Sequence, residues 1–116
     1  MNEKLNPIRI TDHEKGKTYE LDFSRESVIF AERRQFKPED LMEYPDTRIP
    51  ELFFYAFRKN HKNVSRAETD KLLEQMGGLS NPMLERLIGL YGQAGYSHLI
   101  QSDEGETKNG SVTVEL

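Results

Sequence analysis

The sequence predicts an α+β fold: an N-terminal β-hairpin packed on a mainly α-helical cluster of four to five helices, with a flexible C-terminal tail. Three observations lead there. Residues 6–23 alternate apolar and polar side chains, residues 24–96 change to helical spacing marked by caps and prolines, and residues 101–110 contain no apolar side chain. The expected organisation is a single domain over 1–100, with the hairpin at 6–23 and helices at about 24–96, followed by an acidic tail over 101–116.

In the hairpin, Ile8 and Ile10 alternate on one arm and Tyr19, Leu21 and Phe23 on the other, on either side of a polar stretch, 11–18, that contains Gly16. An isolated two-stranded hairpin is marginal in water, so its apolar face must lie on the helices.

Ser24 suits an N-cap, and Val28, Ile29, Ala31 and Phe36 then follow a helical spacing to about Gln35. Lys37-Pro38-Glu39-Asp40 restarts the chain, with Leu41 and Met42 in a short helical turn that ends by Tyr44-Pro45. Asp46 or Thr47 is positioned to cap a third helix, in which Ile49, Leu52, Phe53, Ala56 and Phe57 form the clearest amphipathic stripe in the chain.

Ser65-Arg66-Ala67-Glu68 has the form of a capping box, Leu72, Leu73 and Met76 face inward, and Gly77-Gly78 supplies a left-handed stop. Ser80-Asn81-Pro82 opens a last helix filled by Met83, Leu84, Leu87, Ile88, Leu90, Tyr91 and Ala94. Its glycines, Gly89, Gly92 and Gly95, predict either a fraying end or a close neighbour. After the polar stretch, residues 112–116 regain an apolar alternation suited to a strand, able to pair with a free sheet edge of this chain or another copy.

Composition limits the function classes. A chain of 116 residues supports one modest core, and its 35% hydrophobic content is low but sufficient. Without cysteine there are no disulfides and no thiolate nucleophile, and the only imidazoles are His13, His61 and His98. A net charge of −4 argues against a general polyanion binder. Three of those negative charges belong to the tail, where Asp103, Glu104, Glu106 and Glu115 stand against Lys108. There is no apolar leader and no membrane-spanning run, so a cytoplasmic protein without membrane contact is expected.

The candidate chemistry is sparse. Glu39, Asp40, Glu43 and Asp46 cluster without calcium-loop spacing, and the residues in a first helical turn are explained by the helix dipole. Ser24, Ser65 and Ser80 are explained as caps, and no Gly-x-Ser-x-Gly elbow, Walker loop or zinc-protease motif occurs. Neither an enzyme, a metal site nor a cofactor is expected. Arg58, Lys59, Lys62 and Arg66 form the one dense basic patch, readable as a nucleic-acid contact or as a solvated helix C-terminus. The second reading is favoured, because the nearby aromatics follow a core spacing rather than that of a base-stacking platform.

Phe54 and Tyr55 widen the apolar stripe of the third helix beyond half its circumference. Surplus apolar surface in a domain without catalytic motifs points to a partner, such as a hydrophobic helix received in a groove.

The run LDFSRESVIFAERRQFKPEDL, followed by PDTRIPELFFYAFRKNHKNVSRAETDKLLEQMGG, resembles the small tail assembly chaperones of long-tailed bacteriophages and prophages of Gram-positive bacteria. The matching features are the junction Phe23-Ser24-Arg25, the segment Glu32-Arg33-Arg34 ahead of Phe36, the aromatic run from Leu52 to Phe57, and the Thr69-Asp70 helix ending in Gly77-Gly78. They span residues 18–78, about half the chain.

The resemblance implies a non-enzymatic cytoplasmic factor, absent from the finished virion. Such a factor coats the long helical tape measure protein, keeps it soluble and helps recruit tail tube protein. It also implies self-association into a homo-oligomer. Phe53, Phe54, Tyr55, Phe57, Leu87 and Tyr91 are the expected candidates for shared core and partner-binding surface. The alternative is a small nucleic-acid-binding regulator using Arg58, Lys59, Lys62 and Arg66.

Overall fold

In the computed structural model, described over residues 4–95, 112 and 114–116, two strands precede four α-helices. Strand β1 (Ile8–Asp12) pairs antiparallel with β2 (Lys17–Leu21), placing Ile8 opposite Leu21 and Ile10 opposite Tyr19. Period two therefore brings these four side chains to one face, as the alternation predicts. The face is unevenly covered, with Tyr19 and Leu21 buried and Ile8 and Ile10 only half-buried.

The strands run further than expected. Thr11, Asp12, Lys17 and Thr18, read from the sequence as loop, belong to the ladder, and the Thr11 and Thr18 hydroxyls meet across it at 3.2 Å. The turn is confined to residues 13–16. There Asp12 Oδ1 accepts from the amides of Glu14 and Lys15, at 3.0 and 3.3 Å, and Gly16 adopts φ +64°.

Helix α1 (Arg25–Arg33) starts where Ser24 predicts: Ser24 Oγ accepts from Ser27 N–H, and the Ser24 amide donates to Ser27 Oγ at 2.8 Å. It ends two residues before Gln35, which takes a left-handed φ of +63°. That reversal returns the Phe36 amide to Ala31 O at 3.1 Å and drops the Phe36 ring into the core.

A 3-10 turn (Pro38–Asp40) follows, after which Leu41 is buried whereas Met42 is 79% exposed. Helix α2 (Pro45–Tyr55) begins at its proline, with Tyr44 in the cap position and no side-chain capping bond. Neither Asp46 nor Thr47 caps it, because Pro45 already occupies the first helical position and both residues lie inside the first turn.

Helix α2 packs against α1, the 3-10 turn and helix α3 (Arg66–Met76), so it is central. It stops at Tyr55, and residues 56–60 continue as turns rather than as the helix that the apolar spacing predicts. Ala56 and Phe57 are nonetheless fully buried, and the Asp22 amide donates to Ala56 O at 3.1 Å, tying the end of β2 to this turn.

The α3 cap and stop both match their sequence signals. Ser65 and Glu68 form the reciprocal capping box, and Gly77 and Gly78 take φ +75° and +92°. Ser80 Oγ accepts from Met83 N–H to cap helix α4 (Asn81–Ala94), which buries Leu87, Leu90, Tyr91 and Ala94. Gly89 marks a close neighbour: a Cβ there would lie 2.5 Å from Leu5 Cδ1.

Among the described residues no helix is long and apolar enough to cross a membrane. The expected tail falls mostly outside the described residues, as does residue 96 at the expected end of the last helix. Residue 112 and residues 114–116 carry no regular secondary structure and are exposed.

Candidate partner-binding groove

Helix α1 buries Ser27, Val28 and Ala31 on its core face, which leaves Ile29 and Phe30 half-buried at its flank. Beside that flank runs the turn after α2, pinned to the hairpin by the Asp22–Ala56 backbone bond and by an ion pair of 2.7 Å from Lys59 Nζ to Asp22 Oδ2. The two walls enclose a groove of about 490 Å³. Ile29 and Phe30 supply apolar lining, and Arg33, Arg34, Arg58, Lys59 and Lys62 make the rest strongly cationic, with Glu26 as the one acid.

The cations differ in freedom. The guanidinium carbons of Arg34 and Arg58 lie 3.6 and 4.0 Å from the Phe30 ring centroid. Such stacking holds the charge and leaves guanidinium N–H groups able to bind a carboxylate. Lys59 is committed to Asp22. Arg33 and Lys62 are exposed and form no ion pair among the described residues.

Most of the expected partner-binding residues form the core beneath the groove. Phe53, Tyr55, Phe57, Leu87 and Tyr91 are all buried, and of the six only Phe54 is half-buried. The cause is tertiary: α2 is enclosed by α1 and α3, which use up the surplus apolar circumference. Tyr55 links core to groove, its ring packing edge-on against Phe30 at 5.9 Å and Phe36 at 5.3 Å. Burial raises the pKa of its hydroxyl. Tyr91 meets Phe23 and Phe36 edge-on at 5.1 and 5.5 Å. Its buried hydroxyl has no hydrogen-bond partner among the described residues, and desolvation, with smaller repulsion from Glu32 and Glu39, pushes its pKa up to about 12.

The basic patch read from the sequence divides. Arg58, Lys59 and Lys62 line the groove, whereas Arg66 lies apart beside Asp46 and Pro50 and pairs with Asp70 at 2.8 Å. In exchange Arg33 and Arg34 join from α1. The spacing of Phe30 in α1 and Arg34 at its C-cap, four residues apart, is the sequence signal that finds them.

Within the acidic cluster, Asp40 faces Arg48 at 3.8 Å, and Arg48 bonds Glu51 at 2.8 Å. No group of three or more His, Asp or Glu among the described residues is placed to hold a metal ion. His61 serves the hairpin: its Nε2 accepts from the Glu20 amide at 3.0 Å. His13 is exposed in the turn, and His98 lies outside the described residues.

Neither curated proteins nor solved structures give a significant match. The family model described as a domain of unknown function, DUF5055, matches residues 1–116, so the chain belongs to the DUF5055 family.

Proposed function

We propose that this chain is a non-enzymatic tail assembly chaperone of a long-tailed phage or prophage, acting in the host cytoplasm. It binds the helical tape measure protein, keeps it soluble, and helps recruit tail tube protein. The resemblance over residues 18–78 supports the family of activity. The observation that carries the binding mode is the groove, where half-buried Ile29 and Phe30 lie among Arg33, Arg34, Arg58 and Lys62. Ile29 supplies the open apolar contact, since Arg34 and Arg58 lie over the Phe30 ring, and the cationic rim around it suits an amphipathic helix whose apolar stripe is flanked by carboxylates. Of the six expected candidates Phe54 alone is half-buried; it lies on α2 outside the groove lining and would offer such a client a separate contact.

Co-purification of the tagged chain with segments of a tape measure protein tests this. Binding is expected for amphipathic segments with acidic flanks, weakened but not abolished by salt. Failure to retain any segment contradicts the reading.

A second reading, nucleic-acid binding, is favoured by the concentration of five cations at one groove. Its weakness is that Phe30 is already covered by Arg34 and Arg58 and offers no free face for a base. A mobility assay with duplex and single-stranded probes separates the two: tight binding with a steep salt slope selects this reading.

A further inference from the structure

We propose that residues 112–116 of one copy add as a third strand to the outer edge of β1 in a second copy. The first observation is an asymmetry between the two edges of the sheet. On β2 the outward Glu20 groups are occupied: its amide donates to His61 Nε2 at 3.0 Å, and its carbonyl accepts from Asn60 Nδ2 at 3.2 Å.

This fixes the alternation of the ladder. Because Glu20 points its backbone groups away from β1, the Arg9–Glu20 and Thr11–Thr18 pairs are those that do not exchange backbone bonds. Arg9 and Thr11 therefore aim their N–H and C=O groups outward from β1, and both residues are exposed. Nothing among the described residues accepts or donates there. Among the described residues one edge of the sheet is closed and the other is open.

The second observation is the burial gradient. Tyr19 and Leu21 are 7% and 0% exposed, whereas Ile8 and Ile10 on the open strand are only half-buried, so the apolar face continues to an unfinished margin. A two-stranded sheet gains most from a third strand at such a margin.

The third observation is the segment itself. Val112, Val114 and Leu116 alternate in sequence and are 69%, 76% and 118% exposed, uncovered by the described residues. Charge selects the register. Antiparallel pairing with Glu115 opposite Arg9 and Thr113 opposite Thr11 puts Val114 beside Ile10 and Leu116 beside Ile8, extending the apolar face, and joins opposite charges on the outer one. Arg9 thus discourages indiscriminate edge pairing while matching one acidic strand. The 16 residues from 96 to 111 can extend to about 50 Å, enough to reach a neighbouring copy.

The chain lacks cysteine, which makes cross-linking a clean test. One full-length chain carries Thr11→Cys and another Thr113→Cys, both on the outer face of the proposed sheet. Mixed and oxidised, they are expected to give a covalent heterodimer in at least tenfold excess over a mixture of Thr11→Cys with the off-register Val112→Cys. In sedimentation, Glu115→Lys and Arg9→Glu each weaken self-association by about fivefold, and the two together restore it.

A chain that stays monomeric at all concentrations overturns the proposal. So does heterodimer formation no greater than in the off-register control, or a chain carrying both Thr11→Cys and Thr113→Cys that closes only on itself. Self-association untouched by either charge reversal overturns the register.

Discussion

The backbone amide of Glu20 donates to Nε2 of His61, 41 residues further along the chain, at 3.0 Å. Asn60 completes the closure by donating to Glu20 O, and Lys59 anchors to Asp22 one residue beyond the strand. Lys59 and Asn60 of the turn and His61 just after it thereby seal one edge of the sheet, beside Arg58 in the groove.

His61→Ala removes the acceptor of the Glu20 amide. The expected loss is about 1 kcal/mol of stability in urea unfolding, the usual net contribution of one such bond. Hydrogen exchange at the Glu20 amide should accelerate while that of Leu21, inside the ladder, stays slow. Unchanged exchange at Glu20 contradicts the edge assignment.

Tyr91 carries a buried hydroxyl without a hydrogen-bond partner among the described residues. Tyr91→Phe removes that group while keeping the ring contacts with Phe23 and Phe36, so stability should be unchanged or rise by up to about 1 kcal/mol. Because the folded-state pKa is raised to about 12 from an ordinary value of 10, the unfolded chain loses this proton first as pH rises. Stability from this group is complete below pH 10, falls between 10 and 12, and that part of the alkaline decline should be missing in Tyr91→Phe. Thermal denaturation across this window measures both.

Phe53 and Phe54 are neighbours with opposite roles. Phe53→Ala opens a cavity in a fully buried position and should cost about 3–5 kcal/mol. Phe54, half-buried, should cost about 1 kcal/mol when changed to Ala, and the variant should stay folded with weaker client binding. Equal costs in urea unfolding would show that α2 is oriented otherwise.

The features readable in the sequence are the local ones. Ser24, Ser65 and Ser80 cap their helices because a cap is decided by residues three apart, and Gly77 and Gly78 stop α3 because only left-handed backbone fits there. The hairpin face follows from period two alone. What escapes is tertiary. The stripe from Ile49 to Phe57 does not reveal that α2 ends at Tyr55, nor that α1 and α3 cover it, so the spacing marks most of these side chains as core without showing which of them stay exposed. The same early stop separates Arg66 from Arg58 and brings Arg58 instead to Phe30 and Arg34. The groove thus depends on two segments nearly thirty residues apart.

Arg33 and Lys62 are exposed cations of the groove without ion pairs among the described residues. Arg33→Glu with Lys62→Glu should leave unfolding free energy within about 0.5 kcal/mol of the parent, since neither removes a packed contact. Affinity for an acidic-flanked amphipathic helix, read by titration calorimetry, should fall at least tenfold.

The most direct measurement is the soluble fraction of a tape measure protein co-expressed with this chain. The parent chain is expected to make the client soluble, and the folded Arg33→Glu, Lys62→Glu variant to leave it largely insoluble. A client equally insoluble with and without the parent chain would contradict the proposed function, and rescue undiminished by the variant would contradict the groove.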